Sequence, residues 1–360
     1  FATFEAMKNK RYNLIISLFL IVQIIFVQII SNYPSFVERY YSNGIYPYIS
    51  RFLRILFGWI PFSFGDVLIA ILVFLFFRFL VRLIRTKFTD FLSKLLQLTA
   101  SVSIIYGCFY LFWGFNYFRE PLSKNLGFTQ QKYTTEALVK TTKKIIFQLN
   151  SLQIQLAKND TLLVKNPYTT KEMYAKAIAG FTEISKTYPQ LKYQQKSVKN
   201  SLMSLLQTYN GTGGYMNPLT GYAQINDRIP TTGFPATACH EMAHQLGFAA
   251  ENEANFVGFL ASISNDDLYF QYAGYRMAFS YAISEVGKRD RKLAAQLWQQ
   301  TNKGILKDFR ASGAFWRQYQ NPIEPIVKKG YNSYLKANKQ QQGIASYNYV
   351  VDLLISYLNE

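Results

Sequence analysis

The chain has 360 residues and a formal charge of +18, and 49% of its residues are hydrophobic. This length allows more than one domain. No nucleic-acid-binding motif accompanies the dispersed basic residues, so the charge indicates no nucleic-acid partner. Several basic residues flank hydrophobic runs instead, where they would lie among anionic lipid headgroups.

Apolar residues are concentrated in the first third of the chain, in runs at about 12–31, 66–84 and 95–115. Each run is close to the roughly 20 residues that a helix needs to cross the hydrocarbon core of a bilayer. We therefore predict three transmembrane helices within a transmembrane region at residues 1–118. The aromatic loop 32–65 is typical of a segment that lies at the membrane surface.

The orientation of these spans follows from basic residues in short loops, which favour the cytoplasmic side. They precede the first span and lie between the second and third: Lys8, Lys10, Arg11, Arg82, Arg85, Lys87 and Lys94. Three spans with a cytoplasmic N-terminus place the chain after Tyr117 outside the cytoplasm. The predicted extracytoplasmic domain covers residues 119–360.

This second region has the composition of a soluble domain. Amphipathic patterns predict helices at 134–157, 170–186 and 196–209. A segment dense in Gly, Pro and Asn follows and predicts turns around a short strand at Tyr222–Ile225. Helical patterns then run from about 235 to the end. The predicted fold class is mainly α, with a three-helix transmembrane region followed by a mostly helical domain that has a small β element.

His240 and His244 are the only two histidines in the chain, and Glu241 follows the first of them directly. On a helix, residues four apart share a face, so both imidazoles can bind one Zn²⁺. The glutamate of such an HExxH pattern can act as general base on a water at the metal. Pro235 and Gly247 fit the start and the end of this helix.

A catalytic zinc site usually has three protein ligands, and no third histidine exists. A carboxylate is therefore expected, and Glu251 and Glu253 both follow the motif. A turn near 247–250 would bring a second helix back past the first, with Glu253 on its first turn facing the metal. We prefer Glu253, which leaves Glu251 to orient a ligand histidine or to face solvent. Cys239 is interpreted as a small buried residue rather than a ligand.

These residues resemble a gluzincin, a zinc metallopeptidase with HExxH on one helix and a glutamate ligand on the next. The segment EANFVGFLA, Glu253 to Ala261, is similar to the glutamate-ligand motif of some gluzincins. Nearly the whole chain resembles a family of bacterial membrane proteins described as a domain of unknown function. The resembling segments are IPFSFGD (60–66), WGFNYFREPL (113–122), GYMNPLTGYAQIN (214–226) and HEMAHQLGFAAENEANF (240–256).

The resemblance implies a zincin-like domain on membrane helices, in the bacterial inner membrane with the domain in the periplasm. In zincins, a strand placed like Tyr222–Ile225 pairs with extended substrate. Two positions depart from related patterns. Ala250 stands where metzincins have a third histidine. Val257 stands where thermolysin-like gluzincins have an aspartate that orients a ligand histidine, so another group must orient it here.

The sequence therefore predicts a membrane-anchored zinc metallopeptidase that hydrolyses a peptide or protein near the membrane, with the lipid bilayer as its second partner. Glu241 would be the general base, and Tyr347, or the pair Tyr275 and Arg276, would stabilise the oxyanion. The alternative is a catalytically inactive membrane protein that acts as a zinc-binding or a metal-free scaffold. The oligomeric state stays open.

Overall fold

The computed structural model describes residues 2–128, 133–340, 343 and 349–359. The chain forms two compact units. The first contains residues 1–120 together with the short segment 217–221, and the second contains residues 121–216 and 222–360. The division after residue 120 falls two residues beyond the predicted domain boundary.

The first unit contains three helices that are long and apolar enough to cross a membrane. Their spans are Lys10–Ile30, Phe64–Arg85 and Phe91–Phe112, within α1 (Ala2–Ile30), α4 (Phe64–Arg85) and α5 (Phe91–Phe112). Most of their large apolar side chains are exposed, which suits contact with lipid rather than with a protein core. The protein is thus a membrane protein with three N-terminal apolar helices.

The predicted surface loop between the first two spans is helical. It contains α2 (Pro34–Phe36), a π-helix (Val37–Ile45) and α3 (Tyr46–Gly58). The π-helix carries Glu38, whose carboxylate accepts hydrogen bonds from Arg119 at 2.7 and 2.9 Å. Both side chains are largely buried, so their pairing offsets the cost of taking two charges out of water. Arg119 follows a 3₁₀ turn (Gly114–Phe118) that continues from α5.

The second unit is built mainly from helices. They are α6 (Leu122–Asn125), α7 (Thr135–Ala157), α8 (Thr170–Ile184), α9 (Ser204–Tyr209), α10 (Phe234–Gln245), α11 (Glu251–Ile263), α12 (Leu268–Arg289), α13 (Arg291–Trp298), α14 (Lys303–Gln318), α15 (Glu324–Ala337) and α16 (Val350–Asn359). The helices predicted at 134–157 and 170–186 are confirmed as α7 and α8, and both begin at threonine N-caps.

A three-stranded sheet carries the β element. Its strands are β1 (Val198–Asn200), β2 (Gly214–Asn217) and β3 (Tyr222–Ile225), in the order β1-β3-β2. β1 runs parallel to β3, with Val198 opposite Ala223. The strand predicted at Tyr222–Ile225 is confirmed. The helix predicted at 196–209 is wrong in its first half, because pairing with β3 holds 198–200 extended and leaves only α9 as helix.

The core of the second unit is centred on α10 and α11. α11 buries eleven of its thirteen residues, and α10 packs on α11, α12 and β3. The two central helices approach closely at Gly258. A Cβ atom there would lie 3.0 Å from the backbone nitrogen of His240 and 3.2 Å from its Cα. Glycine at this position therefore fixes how near α11 can come to the motif helix.

Candidate metal centre

The turn between α10 and α11 brings the two helices together. Gly247 adopts φ +87°, a left-handed conformation that glycine favours. Its N–H donates to the His244 carbonyl at 3.0 Å, and the Phe248 N–H donates to the Ala243 carbonyl at 3.2 Å. This is the hydrogen-bond pattern of a Schellman motif, which ends a helix and reverses the chain. The predicted helix end at Gly247 is confirmed.

This reversal places Glu251, the first residue of α11, against the two histidines. Its Oε2 lies 3.2 Å from His240 Nε2 and 3.7 Å from His244 Nε2. The three ligand atoms lie within 4.8 Å of one another. Metal–ligand bonds of about 2.0–2.1 Å at tetrahedral angles would place neighbouring ligand atoms about 3.3 Å apart. The observed separations therefore suit three ligands of one small cation.

A carboxylate oxygen beside this cluster also points to a bound group. Glu241 Oε2 is buried and has no hydrogen-bond partner among the described residues. Buried polar atoms are nearly always satisfied by protein, water or an ion. Glu241 is only 4% exposed, so bulk solvent does not hydrate its carboxylate freely. The residues present thus fit a metal with water beside Glu241.

His244 is oriented by a backbone group. Its Nδ1 lies 2.7 Å from the Phe248 carbonyl oxygen, which can only accept, so Nδ1 carries the proton. When the ring is neutral, Nε2 therefore has the lone pair and faces Glu251, and this neutral form is the one that binds a metal. The Schellman turn supplies this carbonyl. It fills the orienting role left open by Val257, which is fully buried among apolar residues.

The electrostatics of the cluster show a balance between one carboxylate and two imidazoles. Burial opposes protonation of His244, but the Glu251 carboxylate outweighs it and raises the pKa of His244 to about 9. Burial likewise opposes ionisation of Glu251, yet the two histidines hold its pKa well below its ordinary value. Burial raises the pKa of Glu241. An ionised Glu251 favours positive charge at this position, which a divalent cation would supply.

The preference for Glu253 is not supported by the geometry. The Glu253 Oε1 accepts a hydrogen bond from the Leu122 backbone N–H at 2.6 Å, at the start of α6. Residues two apart on a helix are separated by about 200° around its axis, so only one of these two glutamates can face α10. α11 begins at Glu251, and its first turn directs that residue to the histidines. Glu251 therefore stands where Glu253 was expected.

Tyr331 is a residue of the cluster that the sequence did not indicate. Its hydroxyl donates to Glu251 Oε1 at 2.5 Å, while Glu251 Oε2 faces the histidines. Tyr331 lies on α15, 80 residues after Glu251. The chain has 27 tyrosines, and no local pattern distinguishes this one.

Of the residues that the sequence predicted to stabilise an oxyanion, the structure describes Tyr275 and Arg276. Tyr347 lies outside the described residues. The Arg276 guanidinium donates to Asp308 Oδ2 and to Ser312 Oγ, each at 2.7 Å, so it takes part in a buried structural network. The Tyr275 ring packs edge-on against Phe259. These contacts of Tyr275 and Arg276 are made with Phe259, Asp308 and Ser312 rather than with His240, His244 or Glu251.

Glu241 lies against the β element. A Cβ atom at Gly214 would lie 2.9 Å from Glu241 Cγ and 3.0 Å from Oε1. β2, which begins at Gly214, is an edge strand of the sheet. The expectation that Tyr222–Ile225 pairs with substrate is wrong in this respect, because β1 and β2 flank that strand on both sides. β2 is the strand that borders the general-base candidate.

Cys239 directly precedes His240 but is not one of the three clustered ligand residues. It is fully buried, and burial raises the pKa of its thiol to about 12. A thiol binds a metal as thiolate, which this environment disfavours. Its interpretation as a small core residue therefore agrees with its surroundings.

Together, the three apolar helices and the buried histidine–glutamate cluster define a membrane protein with a candidate metal-binding group. The chain belongs to the family described as "Protein of unknown function (DUF3810)", whose model matches residues 41–355. This confirms the resemblance to a family of unknown function. No curated protein and no solved structure matches the chain.

Proposed function

We propose that the protein is a membrane-anchored zinc metallopeptidase, a hydrolase that cleaves a peptide or protein near the bilayer. The observation that carries this proposal is the convergence of His240, His244 and Glu251, with the buried carboxylate of Glu241 beside them. A site that only holds a structural metal has no need for such a carboxylate, and structural zinc is usually closed by a fourth protein ligand.

His240 Nε2, His244 Nε2 and Glu251 Oε2 would hold the zinc ion. When bound, zinc supplies a Lewis acid that polarises a carbonyl group and acidifies water. Glu241 accepts a proton from the attacking water while the oxygen of that water bonds to the carbonyl carbon of the substrate. Glu241 then gives this proton to the amide nitrogen as the C–N bond breaks. Its burial raises its pKa and so suits a group that both takes and returns a proton.

One further element supports peptide rather than small-molecule hydrolysis. The edge strand β2 passes Glu241 at Gly214 and can pair with an extended backbone. The Tyr331 hydroxyl donates to Glu251 Oε1 and so helps to hold Oε2 of this ligand toward the histidines. The basic loops at the N-terminal side of the chain favour the cytoplasm, which supports a site on the periplasmic side of a bacterial inner membrane.

The proposal is tested with the detergent-purified full chain and its Glu241→Gln variant. We expect about one zinc ion per chain in both, because Glu241 is not a ligand. Cleavage of a peptide library, followed by mass spectrometry, should fall by about 10²–10⁴-fold in the variant. Glu183→Gln, which changes a half-exposed glutamate on α8, is the matched control and should cleave normally.

The outcomes separate the competing functions. Absence of zinc in the wild type after supplementation would refute both the enzyme and the zinc scaffold. Zinc in the wild type with no cleavage of any peptide would favour the scaffold. Equal cleavage by wild type and Glu241→Gln would remove Glu241 from the mechanism.

A further inference from the structure

Six large apolar side chains on α15, on α9 and in the segments just before them are exposed, and we call them the apolar face. They are Leu202, Leu205, Leu206, Ile323, Ile326 and Val327. Ile326 is 70% exposed, and Leu206 is 62% exposed. Single exposed apolar residues are ordinary, but a contiguous group of them marks an interaction surface.

The two halves of this face adjoin each other. The Asn321 Nδ2 donates to the Tyr209 carbonyl at 2.8 Å, and the rings of Tyr209 and Tyr319 lie 5.3 Å apart. Tyr209 ends α9, and Asn321 precedes α15. A Cβ atom at Gly211 would lie 3.2 Å from Glu324 Oε1, at the first residue of α15. α9 and the start of α15 therefore form one surface.

The stretch of chain that contains α14 and α15, and so one half of the face, is strongly basic. Residues 303–339 contain eight basic and two acidic residues. Both acids are already paired: Asp308 with Arg276 at 2.7 Å, and Glu324 with Lys328 at 2.5 Å. Lys329 follows the apolar face directly along α15 and is exposed. Apolar residues beside lysines on one helix are typical of a helix that lies in the interface of an anionic bilayer.

α15 is also weakly anchored in the protein core. Of its described residues, Leu335 is the buried one. The helix is nevertheless joined to the candidate metal centre, because the Tyr331 hydroxyl bonds Glu251. A surface that holds α15 would therefore also hold Tyr331 over the cluster.

We propose that the apolar face docks on the surface of an anionic lipid bilayer, with the side chains of Ile323, Ile326 and Val327 among the acyl chains. A bilayer is the occupant because the same chain carries three membrane-spanning helices, which keep it at a membrane, and because the basic residues around the face complement anionic headgroups. The metal centre then opens close to the lipid interface. Docking of this face on the bilayer does not require catalytic activity.

The test uses the full chain with Cys108→Ser, so that an added cysteine is the accessible thiol. An environment-sensitive fluorophore is attached at Ile326→Cys, or at Gln296→Cys on the exposed side of α13 as matched control. Both proteins are placed in nanodiscs that contain anionic lipid, with and without brominated acyl chains. We expect a blue shift and bromine quenching at position 326, and neither at position 296.

Each other outcome contradicts the proposal. A fluorophore at 326 that stays in water shows that the face is not docked. A blue shift without bromine quenching shows that protein covers the face, either a second copy or another part of the chain. Adding Lys329→Glu and Lys336→Glu should reduce the quenching severalfold, and an unchanged signal would rule out a role for the anionic lipid.

Discussion

Glu251 and Glu253 illustrate how strongly the role of one residue depends on its angle around a helix. Both are buried carboxylates in the first turn of α11, yet one faces two imidazoles and the other a backbone N–H. With about 100° per residue, two positions of offset send their side chains to nearly opposite sides. Each therefore stabilises a different part of the structure, and their substitutions should be separable.

Glu251→Ala should reduce zinc affinity by more than about 100-fold, above the usual effect of an outer-sphere partner. Glu253→Ala should keep zinc but lose about 1–3 kcal/mol of stability, because the buried Leu122 N–H loses its acceptor. Zinc content by elemental analysis and the melting temperature in detergent distinguish the two effects. Zinc lost from Glu253→Ala and kept in Glu251→Ala would reverse the assignment.

The sequence predicted the type of chemistry at this site better than it predicted which residues form the site. Two histidines four apart and the adjacent Glu241 follow from local helix geometry alone. The third ligand depends on the residue at which α11 begins and on the side that packs against α10. Tyr331 depends on the placement of a helix 80 residues away, which no local spacing encodes.

Tyr331→Phe removes the hydroxyl that donates to Glu251 Oε1. We expect zinc affinity to fall by about 10-fold, as when other outer-sphere partners of metal ligands are lost, and the melting temperature to change little. Competition with a zinc chelator measures the affinity. Tyr319→Phe, just before α15, is the control that loses a hydroxyl without touching the cluster. Equal chelator sensitivity of wild type and Tyr331→Phe would show that the bond does not support Glu251.

At the scale of elements, the candidate site depends on two glycines, one in the turn between α10 and α11 and one at the contact between these helices. Gly247 closes the turn that aims the Phe248 carbonyl at His244, and Gly258 lets α11 approach the backbone of His240. The pattern of residues predicted that α10 would end at Gly247. The contact at Gly258 could not be predicted, because it involves two helices rather than one.

The strands show the same limit. The turn-rich segment predicted β3 correctly, but the amphipathic pattern at 196–209 favoured a helix where β1 forms. Pairing of Val198 with Ala223 is a contact between distant segments, and it outweighs the local helical preference. The edge position of β2 likewise follows from sheet order and not from the composition of the strand.

Gly258→Ala should push α11 away from α10 and cost about 1–3 kcal/mol of stability, because the added methyl group meets backbone that cannot move freely. Zinc retention should fall in parallel, since Glu251 moves with α11. Gly330→Ala in α15 is the matched control. No atom of the described part of the chain lies within 4 Å of its added Cβ, so the same change should be neutral or stabilise by about 0.5–1 kcal/mol. A Gly258→Ala protein with normal melting and zinc content would contradict the close packing.

At the scale of the whole molecule, the sequence predicted the three apolar helices well because membrane spans depend on composition and length. The compact second unit depends instead on contacts between distant segments, both in its apolar core and in polar networks. Asp308 on α14 accepts hydrogen bonds from Thr232, Tyr272 and Arg276, and so joins α14, α12 and the segment before α10. Such networks are strong when every member is satisfied.

Asp352 on α16 is a partly buried carboxyl group with less compensation than Asp308, and it should make the stability of the protein depend on pH. Burial, together with the nearby charge of Glu285, raises the pKa of Asp352 to about 6. The folded state therefore holds the proton to higher pH than the unfolded chain does. Protonated Asp352 therefore contributes fully to the free energy of unfolding below the ordinary pKa of aspartate. This contribution is lost as the pH rises from about 4 to about 6.

Asp352→Asn removes this titration and should therefore gain stability relative to the wild type as the pH rises through that range. We expect the gain between pH 4 and pH 7 to be about 1 kcal/mol, reduced by solvent screening because the side chain is only partly buried. Melting temperatures of the full chain in detergent at both pH values measure it. Asp160→Asn, in an exposed loop, controls for the loss of a surface charge. A constant difference between Asp352→Asn and wild type across this range would show that Asp352 titrates alike in the folded and unfolded chain.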